Sequence, residues 1–159
     1  LVERHQRAVF NAAYRLLGNR DEAADITQDA FLRAYRALDT FQQERPLAPW
    51  LCRIATNLAL NRLKRQRPTE ALDDNPGLMV ADPSAGPQAR LLQAEQQQRI
   101  RQAILSLPPE QRAVIELRHF QGLSYQEMAT SLQSSLAGVK SRLFRARQRL
   151  RKILEESGE

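Results

Sequence analysis

Apolar residues recur along this chain at helical spacing, and the every-second-residue alternation of a strand is absent throughout. Phe10, Tyr14 and Leu17 fall at i, i+4 and i+7 and predict a first helix. Gly18 and Asn19 end it. Asn19 can cap a second helix, whose start carries Asp21, Glu22 and Asp25 at the positive end of the helix dipole. That helix carries Ile26, Ala30, Phe31, Ala34 and Leu38. A loop follows over 39–49, broken by Pro46 and Pro49, and then a third helix from about Trp50 to Arg67 with Leu51, Ile54, Ala55 and Leu58 inward. Beyond residue 87 the same period returns. A helix near 88–106 turns Leu92, Ile100, Ala103 and Ile104 inward, with Leu107 just beyond it. Pro108 and Pro109 stop it and suit the first turn of a helix running to about His119. Gly122 breaks the chain. Ser124-Tyr-Gln-Glu127 is a capping box opening a short helix that ends near Leu132. Ser134 or Ser135 can cap a final helix with the stripe Val139, Leu143, Ala146, Leu150 and Ile153.

Between these two groups of helices lie Pro68, Pro76, Pro83 and Pro87, with Gly77 and Gly86. The same stretch holds Glu70, Asp73, Asp74 and Asp82 and no base, so 68–87 reads as a flexible acidic linker. The expected fold is therefore all-α: two small helical domains, 1–67 and 88–159, joined by that linker. Each is small for a self-sufficient core. The linkage leaves open whether the two are compact or spread apart.

Charge sharpens this picture. The chain of 159 residues has 24 Lys and Arg, 18 Asp and Glu, and a net charge of +6. Residues 53–67 hold Arg53, Arg62, Lys64, Arg65 and Arg67 without an acid, and 138–152 hold Lys140, Arg142, Arg145, Arg147, Arg149, Arg151 and Lys152, again without one. Half of all the bases lie in these two stretches, and the remainder is net acidic by six. Two basic stripes on an acidic body suggest two contacts with one polyanion. One Cys excludes an internal disulfide framework, and His5, Cys52 and His119 form no zinc-ligand spacing, so neither metal nor cofactor is expected. No run of 18 apolar residues is present, so no membrane insertion is expected. No secretory leader is recognisable, which points to the cytoplasm, although a sequence opening on Leu1 leaves any upstream segment open.

The stripes carry the candidate chemistry. Residues 124–143 have helix-turn-helix spacing, with Ala129 as the small residue at the helix crossing and Val139 and Leu143 anchoring the second helix. Ser141, Arg142 and Arg145 would then reach bases or phosphates in the major groove. A solvated basic face is the plainer reading, but the stripe lacks the acids that would form i,i+4 pairs. In the third helix Asn57 and Asn61 share a face, Arg62 to Arg67 can hold phosphates, and Trp50 is either core or a platform for an unpaired base. A helix-turn-helix regulator of duplex DNA is the main rival, and it leaves the third helix unexplained. A serine recombinase would need strands and a serine in the first segment, which has neither.

These residues together resemble a known family. Asp25-Ile-Thr-Gln-Asp-Ala-Phe-Leu-Arg33, Trp50-Leu-Cys-Arg-Ile-Ala-Thr-Asn57, Leu107-Pro-Pro-Glu-Gln-Arg112, Gly122-Leu-Ser-Tyr-Gln-Glu-Met-Ala129 and Val139-Lys-Ser-Arg-Leu-Phe-Arg-Ala-Arg147 look like the extracytoplasmic-function (ECF) sigma factors of bacterial RNA polymerase. The resemblance implies no catalysis by this chain. It implies docking of Asp25, Gln28, Asp29, Phe31 and Arg33 on the clamp helices of the polymerase largest subunit. It implies recognition and opening of the minus-ten promoter element, with its unpaired non-template strand, by the loop 39–49, Trp50, Asn57, Asn61, Arg62, Lys64, Arg65 and Arg67. Duplex reading of the minus-thirty-five element would fall to Arg118, Lys140, Ser141, Arg142, Phe144, Arg145 and Arg147. An anti-sigma factor is the further expected partner. The chain departs from the family at Leu132-Gln-Ser-Ser-Leu-Ala-Gly-Val-Lys140, where Gln133 stands at a position associated with positive φ, and at Cys52, where an aromatic residue is common.

Overall fold

The computed structural model describes residues 2–38, 47–66 and 86–157. Most of the expected linker and of the 39–49 loop lies outside the described residues, as does Arg67, while Pro87, the expected end of the linker, already opens a helix. The described residues form seven α-helices in chain order: α1 (Val2–Leu17), α2 (Arg20–Arg36), α3 (Leu47–Arg65), α4 (Pro87–Leu105), α5 (Pro109–Ile115), α6 (Tyr125–Leu132) and α7 (Leu136–Ser157). A π-helical turn, Glu116–Phe120, prolongs α5 to the neighbourhood of His119. No strand occurs among the described residues.

Helices α1, α2 and α3 pack as one bundle. Its centre is rich in alanine: Ala12, Ala13, Ala23, Ala30, Ala34, Ala55 and Ala59 are all buried. Small side chains at the crossings let helix axes approach closely, while Tyr14, Leu16, Leu17, Ile26 and Leu51 fill the remaining volume. The α1–α2 corner needs Gly18 at φ +67°, followed by the Asn19 cap, whose Oδ1 accepts from the Glu22 N–H at 3.0 Å. The α3 start lies three residues before its expected place, with Pro49 inside the first turn. A first-turn residue needs no N–H for helical bonding, so proline is accommodated there.

The second bundle is built from α4 to α7 around Ile104, Leu107, Val114, Ile115, Leu117, Leu123, Met128, Val139, Leu143 and Ala146. The capping box forms as expected: Ser124 Oγ accepts from the Glu127 N–H, and the Glu127 carboxylate accepts from the Ser124 N–H. Gln133 adopts the left-handed conformation (φ 53°, ψ 47°) that turns α6 into α7. Of the two candidate caps for α7, Ser135 accepts from the Gly138 N–H at 2.9 Å. The expectation for α4 holds only at its end. Ala103 and Ile104 are buried, but Leu92 and Ile100 are 63% and 39% exposed, because α4 meets the bundle chiefly through its last turns.

The two bundles are in contact. Ala113 of α5 is fully buried in the cluster of the first bundle, and Leu132 of α6 packs against both clusters.

Candidate nucleic-acid interface

Each basic stripe is positioned by a hydrophobic stripe on its own helix. On α3, Leu51, Ala55 and Ala59 face inward, which turns Asn57 to the flank and Asn61 to the exposed side. Trp50 is partly buried against the first bundle and also lines an open cleft of about 610 Å³. The cleft runs between α3 (Trp50, Arg53, Ile54, Asn57) and α6 (Gln126, Glu127, Thr130, Ser131). Core contact and cleft lining are thus both true of Trp50. Lys64 and Arg65 are exposed, and Arg62 lies 3.9 Å from Asp25 of α2.

On α7, burial of Val139, Leu143 and Ala146 turns Lys140, Ser141, Phe144 and Arg145 outward. Phe144 is 62% exposed, a large apolar ring set among cations. Arg147 Nε donates to His119 Nε2 at 3.1 Å. Burial, with Arg147 and Arg118 alongside, pushes the His119 imidazolium pKa down, consistent with that ring nitrogen accepting. Arg118 Nη1 donates to the Leu123 carbonyl at 2.7 Å, and its guanidinium lies 4.8 Å from the centre of the Tyr125 ring. Lys140 Nζ approaches the same ring at 5.8 Å.

The α2 set divides. Asp25, Gln28, Asp29 and Arg33 are exposed, whereas Phe31 packs partly against the core. Leu32 and Tyr35, 50% and 77% exposed, extend the Asp25–Gln28–Asp29 face, which sequence reasoning missed. Their signal was present: both fall out of register with the Ile26–Ala30–Ala34 stripe.

The residues joining the bundles carried no such signal. Glu116 is 1% exposed. Its carboxylate accepts from Arg15 Nε at 2.5 Å, Arg15 Nη2 at 3.1 Å and Gln121 Nε2 at 3.0 Å. Gln121 Nε2 also donates to Thr56 Oγ1 of α3 at 2.8 Å. Arg112 Nη1 donates to the Leu16 carbonyl at 2.6 Å, at the C-terminal end of α1. The Cys52 thiol lies within reach of this network. Burial first, and Glu116 second, push its pKa up to about 11 against an opposing effect of Arg15.

Residues 1–69 match the sigma-70 region 2 family and residues 97–150 the sigma-70 region 4 family. The ECF RNA polymerase sigma factor SigW of Bacillus subtilis is 37% identical, over 98% of this chain and 88% of that protein. CnrH, solved in complex with the cytosolic domain of CnrY, is 28% identical with a TM-score of 0.63, over 98% of this chain and 85% of that one. The sigma factor RpoE of Bartonella quintana, solved with the anti-sigma factor NepR, shares the fold at a TM-score of 0.70 and 24% identity, over 97% and 94% of the two chains.

Proposed function

The chain belongs to the ECF sigma factors, the transcription initiation factors that bring RNA polymerase to promoters, and from that membership we propose how its parts divide the work. The first bundle (1–67) docks on the polymerase clamp helices through Asp25, Gln28, Asp29 and Arg33, with Leu32 and Tyr35 supplying apolar contact. Phe31, partly buried, holds that surface in place. Helix α3 opens the minus-ten element: Asn57 and Asn61 take hydrogen bonds from base edges, Trp50 lines the pocket for an unpaired base, and Arg62, Lys64, Arg65 and Arg67 hold the strand. Extruding a base costs a few kcal/mol, offset by pocket contacts and backbone charge. The second bundle (88–159) anchors on duplex DNA. Lys140, Ser141, Phe144 and Arg145 enter the major groove while Arg118, Arg142 and Arg147 meet phosphates. The segment 68–87 tethers the two, so that weak contacts made on one polymerase combine.

The observation that carries this reading is the pair of basic helices, each set on its own bundle by its own apolar stripe. Nucleotide chemistry belongs to the polymerase, and the chain acts in the cytoplasm with it. Among the described residues no helix is long and apolar enough to cross a membrane, and no cluster of possible metal ligands occurs. An anti-sigma factor is the proposed regulator, on the strength of family membership. The deciding experiment is transcription in vitro with purified core polymerase and a library of promoter fragments. Start sites that appear only when the chain is added support the reading; duplex binding without initiation would leave a simple DNA-binding regulator.

A further inference from the structure

The cations of the basic helices are held in two different ways. Some meet carboxylates. Glu110 of α5 pairs with Lys64 of α3 at 3.3 Å and with Arg142 of α7 at 3.5 Å, and Arg62 lies 3.9 Å from Asp25. Those around the π-helical turn Glu116–Phe120 meet neutral groups instead. Arg118 donates to the Leu123 carbonyl and lies over the Tyr125 ring, which Lys140 Nζ also approaches. Arg147 donates through Nε to Nε2 of His119, an exposed residue 28 positions away. Lys140, Phe144 and Arg147 are spaced four and three apart and share a face of α7.

The difference matters to a polyanion. A carboxylate holding a cation must leave when a phosphate arrives, or stand beside it as a like charge that opposes binding. A neutral acceptor fixes the side chain and leaves its whole positive charge available. A guanidinium has five N–H groups, one on Nε and four on the two Nη atoms. The bond to His119 occupies the Nε–H alone and leaves the Nη pair for a bidentate contact with phosphate oxygens. Nε2 accepts only in the neutral ring with its proton on Nδ1. Burial first, then Arg147 and Arg118, hold the imidazolium pKa below its ordinary value, so the ring is neutral at pH 7.5. We propose that His119 is a positioning residue for duplex binding: it anchors Arg147 through Nε and presents the Nη pair to one backbone phosphate at the minus-thirty-five element. The phosphate contact itself rests on the sigma-factor reading. The anchor orders a long side chain before DNA arrives, so less freedom is lost on binding, which is worth about threefold to tenfold in affinity.

Two measurements on the full chain test this. The first is a double-mutant cycle of wild type, His119→Phe, Arg147→Ala and the double variant. Each binds a mixed-sequence 25-base-pair duplex at pH 7.5 over a series of salt concentrations. His119→Phe keeps a ring at an exposed position and removes the acceptor. It should weaken binding about threefold or more. Arg147→Ala should weaken it about fivefold or more and make the slope of log K against log salt shallower by about 0.9. The double variant should bind no more weakly than Arg147→Ala. Additive losses overturn the positioning role, as does a His119→Phe variant that binds as tightly as the wild type. Unchanged affinity and slope in Arg147→Ala remove the phosphate contact, and the positioning role with it, while the second measurement still reads the anchor. That measurement is 15N NMR of the imidazole ring, with His5→Gln removing the only other histidine. A free neutral imidazole favours the proton on Nε2. In this background His119 should carry it on Nδ1, and adding Arg147→Ala should return it to Nε2. A proton on Nε2 in both overturns the anchor, whatever the binding shows.

Discussion

Asn57 and Asn61 sit one turn apart on α3, yet they differ in surroundings. Asn57 lines the cleft and contacts Ser131, whereas Asn61 is exposed. Both present amide groups suited to base edges and carry no charge. Replacing both with alanine should therefore impair promoter opening, read by permanganate footprinting, at least tenfold more than duplex binding. Equal losses would remove the base-recognition role. Cys52 offers a pH test. Its thiol pKa rises in the fold from an ordinary value near 9 to about 11, chiefly through burial. Below pH 9 the proton is retained in both states, so this contribution to stability is intact. Between pH 9 and 11 the unfolded chain releases a proton that the folded chain keeps, and stability falls by about 2 kcal/mol. Thermal unfolding at pH 8 and 10.5 should show a larger drop for the wild type than for Cys52→Ala. These residue types were legible in the sequence; their environments were not, because burial at Cys52 involves residues more than 60 positions away.

At the scale of helices, α2 and α7 each separate an apolar stripe from a functional face. On α2 the outward face combines Asp25, Gln28 and Asp29 with Leu32 and Tyr35. Asp25→Ala with Gln28→Ala should cut capture of core polymerase about tenfold in a pull-down, and Tyr35→Ala should do so independently of salt. Undiminished capture by both variants would place the docking surface elsewhere. On α7 the exposed Arg145 and the half-buried Arg142 distinguish phosphate contact from base reading. Loss of one phosphate contact shifts the slope of log K against log salt by about 0.9. A salt titration of Arg145→Ala and Arg142→Ala on minus-thirty-five duplex should show that change for a phosphate contact; a parallel shift with the same slope marks base reading. The helices themselves were legible. The Asn19 cap, the Ser124 box and the left-handed Gln133 all follow from neighbours within four residues. Leu92 and Ile100 misled because α4 is apolar over more of its length than the bundle covers.

Over the whole molecule the deciding contact is Arg15 with Glu116, 101 positions apart. Removing one member of such a buried pair costs about 3–5 kcal/mol when the other stays buried. The sequence by itself determined the all-α class, the two groups of helices, the two basic stripes and the residues proposed to read DNA. These rest on local spacing, and a helix forms from bonds four residues long. Only the tertiary structure decided that one cation of each stripe, Lys64 and Arg142, meets Glu110 and that a lone acid in α5's extension is the centre of the seam. A single Arg and a single Glu carry no pattern in a chain of 159 residues. Their meaning arises when two apolar cores come together and leave one carboxylate out of water with only a guanidinium and an amide to satisfy it.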